Sequence, residues 1–252
     1  MKIKKLLPLI GITIFIVLII QLDFNRISEI FQKIDPIYSI LSFFALVPLV
    51  LIANIEWQIL LKKQKIKVSF WYSLKNFFIG YFYGFITPGG FGGYAKSLYL
   101  SDESNTPLPK CLSNIIIFNT VEFTAMLVFG LIGAIILSSV YPYLFFLIII
   151  VLFVIFLLYL FFFKKERSKN LFSRVVRSNI FSKVKDRLEH SIDSFYEDLP
   201  RFRDILLPFF ISLCNWLLKY IILFFIAKLF LIEIPIFYFI IIIAVSDVIA
   251  SI

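Results

Sequence analysis

Histidine and cysteine are almost missing from this sequence. Its 252 residues include one histidine, His190, and two cysteines, Cys111 and Cys214. Neither cysteine has a C-x-x-C partner, so a zinc site or a disulfide framework is excluded as an organising principle. Both thiols read as small buried residues beside or within apolar runs, and no metal or other cofactor is expected. Glycine is scarce too, nine in the whole chain, yet four fall within Thr87–Gly93, TPGGFGG. No Lys-Ser/Thr directly follows the last of these glycines and no strand precedes them, which excludes a Walker loop and a dinucleotide fingerprint.

What the chain has in excess is apolar sequence, 61% of its residues. Several runs reach the roughly 20 residues needed to cross a ~30 Å hydrocarbon core. The expected fold class is therefore an all-α polytopic membrane protein, a single domain over 1–252. Spans are expected at about 6–20, 38–61, 113–138, 142–163, 205–231 and 235–252, about six transmembrane helices. The first follows Met1-Lys2-Ile3-Lys4-Lys5 like a signal peptide, but QLDFNR after it offers no small-x-small cleavage pattern, so it reads as uncleaved. Residues 23–36 suit a short interfacial helix. The net charge of +9 reflects the collection of Lys and Arg in cytoplasmic loops, and nucleic acid is not expected as a partner.

Charge placement decides the topology. Lys2, Lys4 and Lys5 put the N-terminus inside. Residues 21–36, with two basic and three acidic residues, then lie outside, and Lys62–Lys67, KKQKIK, lies inside. If residues 71–92 crossed completely, the section 164–204, with eleven Lys and Arg, would fall outside. If they dip in and return, that section falls inside, as the positive-inside rule prefers. A re-entrant broken helix at about 71–93 is therefore expected. Pro88 lacks an N–H and pushes Thr87 away from helical geometry, while the glycines permit positive φ and close backbone approach. Irregular backbone at membrane depth needs protein or a wet cavity to satisfy it.

Other polar residues fall inside apolar runs. Glu122 sits within 115–138, where a carboxylate is expensive and is a functional candidate. Asn119 and Asn114 precede it roughly on one face; the group reads either as a polar wall or as interhelical hydrogen-bonding glue. Lys219 pairs in spacing with Asn215, and an ion pair to Glu122 or Asp247 is open. Lys228 reads as a snorkelling cation. Asn54, Glu56 and Trp57 read as an interfacial belt. Gly80 and Gly84 form G-x-x-x-G, a helix-packing motif. In the cytoplasmic section 164–204, apolar residues from Phe172 to Leu199 recur at three-to-four spacing. That marks a basic amphipathic helix for the inner leaflet.

The segment from Asn76 to Lys96, NFFIGYFYGFITPGGFGGYAK, resembles the signature of the lysylphosphatidylglycerol synthase transmembrane-region family, also called flippase-like membrane proteins. The match comprises an aromatic helix punctuated by glycine, a Pro-Gly-rich turn and a basic residue, here Lys96. Asn119-Thr120-Val121-Glu122 resembles the family's intramembrane Val-Glu element, with Phe123 where an Arg often follows. Members usually continue to a second Pro-Gly-Gly-x-Gly-x-x-Glu element, so the domain reads as truncated or a fragment at its C-terminus. The resemblance implies binding or translocation of a phospholipid or isoprenoid-linked glycolipid across the cytoplasmic membrane. The lipid-headgroup site would comprise Thr87, Pro88, Gly89, Gly90, Gly92, Gly93, Lys96, Asn119 and Glu122. Backbone N–H groups and Lys96 would meet a phosphate, and Asn119 and Glu122 would line the path. The family's transferase chemistry belongs to a separate soluble domain, so no catalytic residue is assigned here. The alternatives are the membrane part of an aminoacyl-phosphatidylglycerol synthase and a scaffold for a membrane glycosyltransferase partner.

Overall fold

The computed structural model describes residues 36–138, 191–230 and 232–250, with scattered helical positions between 143 and 156. All its regular elements are helical. They are α1 (Pro36–Phe44), α2 (Leu46–Lys63), α3 (Phe70–Ile86), a 3₁₀ segment (Pro88–Ala95), α4 (Lys96–Ser104), α5 (Leu108–Leu137), α6 (Phe202–Leu229) and α7 (Ile236–Ala250). This is the all-α class that the apolar runs imply. The expected span at 6–20, most of that at 142–163, the interfacial stretch after residue 23 and most of 164–204 lie outside the described residues.

Among the described residues, three helical stretches are long and apolar enough to cross a membrane: Ser42–Lys63, Leu108–Leu137 and Phe202–Leu229, of 22, 30 and 28 residues. At about 1.5 Å per residue, even the shortest spans a hydrocarbon core of ~30 Å. α3 does not: its 17 residues reach only about 25 Å. Large apolar side chains point outward along the bundle, among them Phe43, Phe85 and Phe210. An apolar surface this continuous fits lipid, not water.

Two apolar clusters hold the bundle together. The first joins α2, α3, α4 and α5 through Trp57, Leu60, Phe77, Leu100, Ile115 and Phe118. The second joins α5 to α7 through Met126, Leu127, Ala134, Val245 and Val248. Two glycines set the second contact. A Cβ on Gly133 would lie 2.8 Å from Val245 Cγ2 and 3.1 Å from the Ile241 carbonyl, and one on Gly130 would collide with Val248. Only a bare backbone lets α5 approach α7 this closely.

One end of the bundle is tied by ion pairs. Lys63 Nζ lies 2.8 Å from Asp204 Oδ1, and Lys65 Nζ lies 2.7 Å from Asp198 Oδ1. Lys110 Nζ reaches Asp198 Oδ2 at 2.9 Å and Glu197 Oε1 at 3.3 Å. The exit of α2, the start of α5 and the approach to α6 therefore meet at a single end. Everything between Lys63 and Lys110 leaves that end and comes back to it. Hydrogen bonds from Lys65 and Lys110 hold the Asp198 carboxyl below the usual carboxylate range.

Candidate functional site

The excursion between α2 and α5 is a helical hairpin with a broken tip. Ser69 opens α3: its backbone is extended and its hydroxyl accepts from the Tyr72 N–H at 3.2 Å. Thr87 closes α3 with φ −110° and ψ 137°, the extended geometry that a following proline imposes. Its hydroxyl then stitches the break. It donates to the Tyr83 carbonyl at 2.8 Å and accepts from the Gly92 N–H at 2.7 Å.

The chain returns along α3 as eight residues of 3₁₀ helix, PGGFGGYA. Such runs rarely exceed three or four residues, and glycine makes this one fit. Gly90 has φ +71°. At Gly92 a Cβ would run into the Tyr83 carbonyl and the Thr87 hydroxyl. Gly80 and Gly84 do form a packing face, as their spacing implies, but the surface against it is the returning segment of the same hairpin. A Cβ on Gly80 would lie 3.0 Å from Lys96 Cδ, and one on Gly84 3.6 Å from the Gly93 nitrogen. Asn76 Nδ2 donates to the Lys96 carbonyl at 2.9 Å, and the Tyr72 hydroxyl donates to the Tyr99 carbonyl at 2.8 Å.

This return delivers Lys96 into the interior. Its ammonium stands 5.0 Å from the Trp57 ring, 5.3 Å from Phe77 and 4.8 Å from Phe118. The residue is only 7% exposed. Its electrostatic partner is Glu122 of α5, which a second cation, Lys219 of α6, also faces. Lys219 Nζ in turn lies 2.9 Å from Asp247 Oδ2 of α7 and 4.0 Å from the Trp216 ring centroid. Positive and negative groups thus alternate across the bundle: Lys96, Glu122, Lys219, Asp247.

A further acid sits beside this row. Glu56 of α2 is completely buried, next to Glu122 and to Ser212 of α6. Both Glu56 carboxylate oxygens, Glu122 Oε1, Ser212 Oγ and Asn215 Oδ1 are buried without a hydrogen-bond partner among the described residues. Unsatisfied buried polar atoms are rare and call for an explanation. Five such oxygens on three neighbouring helices mark the polar interior as a site.

Of the residues expected to form a headgroup site, Thr87, Pro88, Gly89, Gly90, Gly92 and Gly93 make the break and the return, and Lys96 ends it. Glu122 lies across from Lys96. Asn119 is half-buried and makes no side-chain hydrogen bond among the described residues. Asn114 does not join Glu122: it accepts from Trp57 Nε1 at 2.8 Å and donates to Gln64 Oε1 at 2.6 Å. Of the two open partners for Lys219, Asp247 makes the ion pair.

Two readings need correction. Asn54, Glu56 and Trp57 are not an interfacial belt, because all three are fully buried. Asn54 accepts at 2.8 Å from Ser73, which itself accepts from Gln58 at 2.8 Å. The signal for Glu56 was present in the sequence, since a carboxylate in an apolar run marks function at Glu56 as it does at Glu122. Its place near the end of the second expected span gave it an interfacial reading. Cys111 is buried as expected, whereas Cys214 is exposed on the outer face of α6.

A bundle of apolar helices around a broken hairpin with buried charges defines a multi-pass integral membrane protein. Within that class the chain belongs to the lysylphosphatidylglycerol synthase TM-region family, whose family model matches residues 8–252. No curated protein and no solved structure matches the chain.

Proposed function

We propose that this protein binds a phospholipid or isoprenoid-linked glycolipid and carries its headgroup across the cytoplasmic membrane. The observation that carries the reading is Lys96. Its ammonium lies inside an apolar bundle, 4.8 Å from the Phe118 ring, with no ion pair among the described residues, facing a Glu122 whose Oε1 is unpartnered among them. A buried charge left this way is costly, and a zwitterionic or anionic headgroup relieves the cost. The phosphate takes Lys96, and hydroxyls or amines of the headgroup donate to Glu122 and Asn119. At the broken tip, Thr87–Gly93, the Gly90 and Gly92 N–H groups are already committed to Thr87, which leaves the other backbone N–H groups there to meet a phosphate.

Topology follows from the same features. The hairpin is a re-entrant element, and the end bearing Lys63, Lys65 and Lys110 faces the cytoplasm with the N-terminus. Its positive charge supports this orientation. On the flank of the hairpin, Trp71, Lys75, Phe78, Phe82, Tyr83 and Tyr99 line an open groove of about 650 Å³, which suits an acyl chain beneath a headgroup.

The test is reconstitution. Proteoliposomes carrying fluorescent phosphatidylglycerol, or a labelled polyprenyl-phosphate glycolipid, are scored for transbilayer movement. Movement with the wild type, lost with Glu122→Gln, is expected; a protein that neither binds nor moves any of these lipids defeats the reading. A second reading rests on the family description: the chain serves as the membrane part of an aminoacyl-phosphatidylglycerol synthase. Aminoacylation of phosphatidylglycerol by the purified chain with charged tRNA would favour it.

A further inference from the structure

Glu56 differs from the other acids inside the bundle. Glu122 is faced by Lys96 and Lys219, and Asp247 is paired with Lys219. Glu56 is faced by Glu122 from α5 and Ser212 from α6. On α3, Tyr81 is 57% exposed and bears on Glu122, and α1 carries no acidic or basic residue. A fully buried carboxylate facing a second one, with neither oxygen hydrogen-bonded among the described residues, is among the costliest arrangements a protein interior holds.

The unpartnered atoms have a chemical pattern. Glu56 Oε1, Glu56 Oε2 and Glu122 Oε1 are acceptors that lack donors, and Ser212 Oγ brings a single hydrogen. One added hydrogen changes the balance. A protonated Glu56 is neutral, which removes the repulsion from the Glu122 carboxylate, and its carbonyl oxygen can accept the Ser212 hydroxyl.

We propose that Glu56 is a proton-binding site at the junction of α2, α5 and α6, occupied in the resting protein. The step is a simple association, Glu56 carboxylate plus H⁺ giving the acid, with no other bond broken. The site stands on Glu56, Glu122 and Ser212 alone and does not depend on which ligand Lys96 serves. Intramembrane carboxylates of this kind form proton relays, so occupancy of Glu56 gives the protein a means of sensing or using the proton gradient.

Infrared difference spectroscopy tests this on the purified full chain in lipid nanodiscs, between neutral and strongly alkaline buffer. The expected result is a carboxylic C=O stretch at neutral pH that disappears on alkalinisation and is lost in Glu56→Gln. Gln has the shape of the protonated acid, so that variant should fold. Ser212→Ala should keep the band and shift its frequency, which provides an independent readout if Glu56→Gln does not purify. Absence of the band at neutral pH, its survival in Glu56→Gln, or an unshifted band in Ser212→Ala would each overturn the proposal. So would stabilisation of the wild type by sodium that Glu56→Gln abolishes, since the site would then hold a metal cation.

Discussion

Lys96 is a cation held where a cation is expensive, and three aromatic faces offset part of the expense. Cation–π contacts in a desolvated setting contribute on the order of 2 kcal/mol, less than the cost of burying an ammonium. The remainder makes Lys96 a waiting partner for an anion. Lys96→Met keeps the aliphatic stem that packs on Gly80 and removes the charge. Fluorescence titration with anionic lipid should show roughly tenfold weaker binding, about 1.4 kcal/mol, with binding of a neutral lipid unchanged. Equal losses for both lipids would mean that Lys96 acts through packing alone. At this scale the sequence was informative about Glu122, an ionisable residue inside an apolar run, while Lys96 stood out only through the family resemblance of the segment it ends. It was silent about Trp57 and Phe118, because nothing in their spacing says that they converge on a lysine some 40 positions from one and 20 from the other in sequence.

Among the elements, the hairpin of α3, the 3₁₀ segment and α4 is the one that glycine makes possible. Gly90 and Gly92 serve it in different ways, which a pair of substitutions separates. Gly92→Ala places a methyl group against the Tyr83 carbonyl and Thr87 hydroxyl, an overpacking that costs about 1–3 kcal/mol. Gly90→Ala meets no atom within 4 Å but must hold φ +71°, a strain of about 1 kcal/mol. Thermal unfolding in detergent should rank Gly92→Ala below Gly90→Ala; the reverse order would place the crowding elsewhere. The break at Thr87 was legible because Pro88 dictates it. That Gly80 and Gly84 face their own returning chain was not, because helical spacing defines a face without naming what packs on it.

At the scale of the whole molecule, ion pairs close the end of the bundle from which the hairpin departs. Asp198 accepts from Lys65 and Lys110 at once, so its carboxyl is held below the ordinary value of 3.8. With the folded-state value depressed, its contribution to stability is present above about that pH and is lost as pH falls through the lowered value. Asp198→Asn keeps the left-handed backbone, φ 49°, which asparagine tolerates, and removes the charge. Acid-unfolding curves of the variant should lose part of the low-pH slope, and unchanged curves would show that the pairs contribute nothing. The charge count along the loops anticipated that these stretches share a face, but not that Asp198 fastens them, since a loop acid has no periodic signature.

The central claim is that the chain leaves one face of the membrane after α2 and returns to that face before α5, carrying Lys96 into the interior. Single cysteines at Lys67, Glu103 and Glu233, all exposed, in a Cys214→Ser background, report it through a membrane-impermeant maleimide applied to sealed vesicles of known orientation. Lys67→Cys and Glu103→Cys should be labelled from the same side, and Glu233→Cys, beyond the far end of α6, from the other. Labelling of positions 67 and 103 from opposite sides would contradict the account.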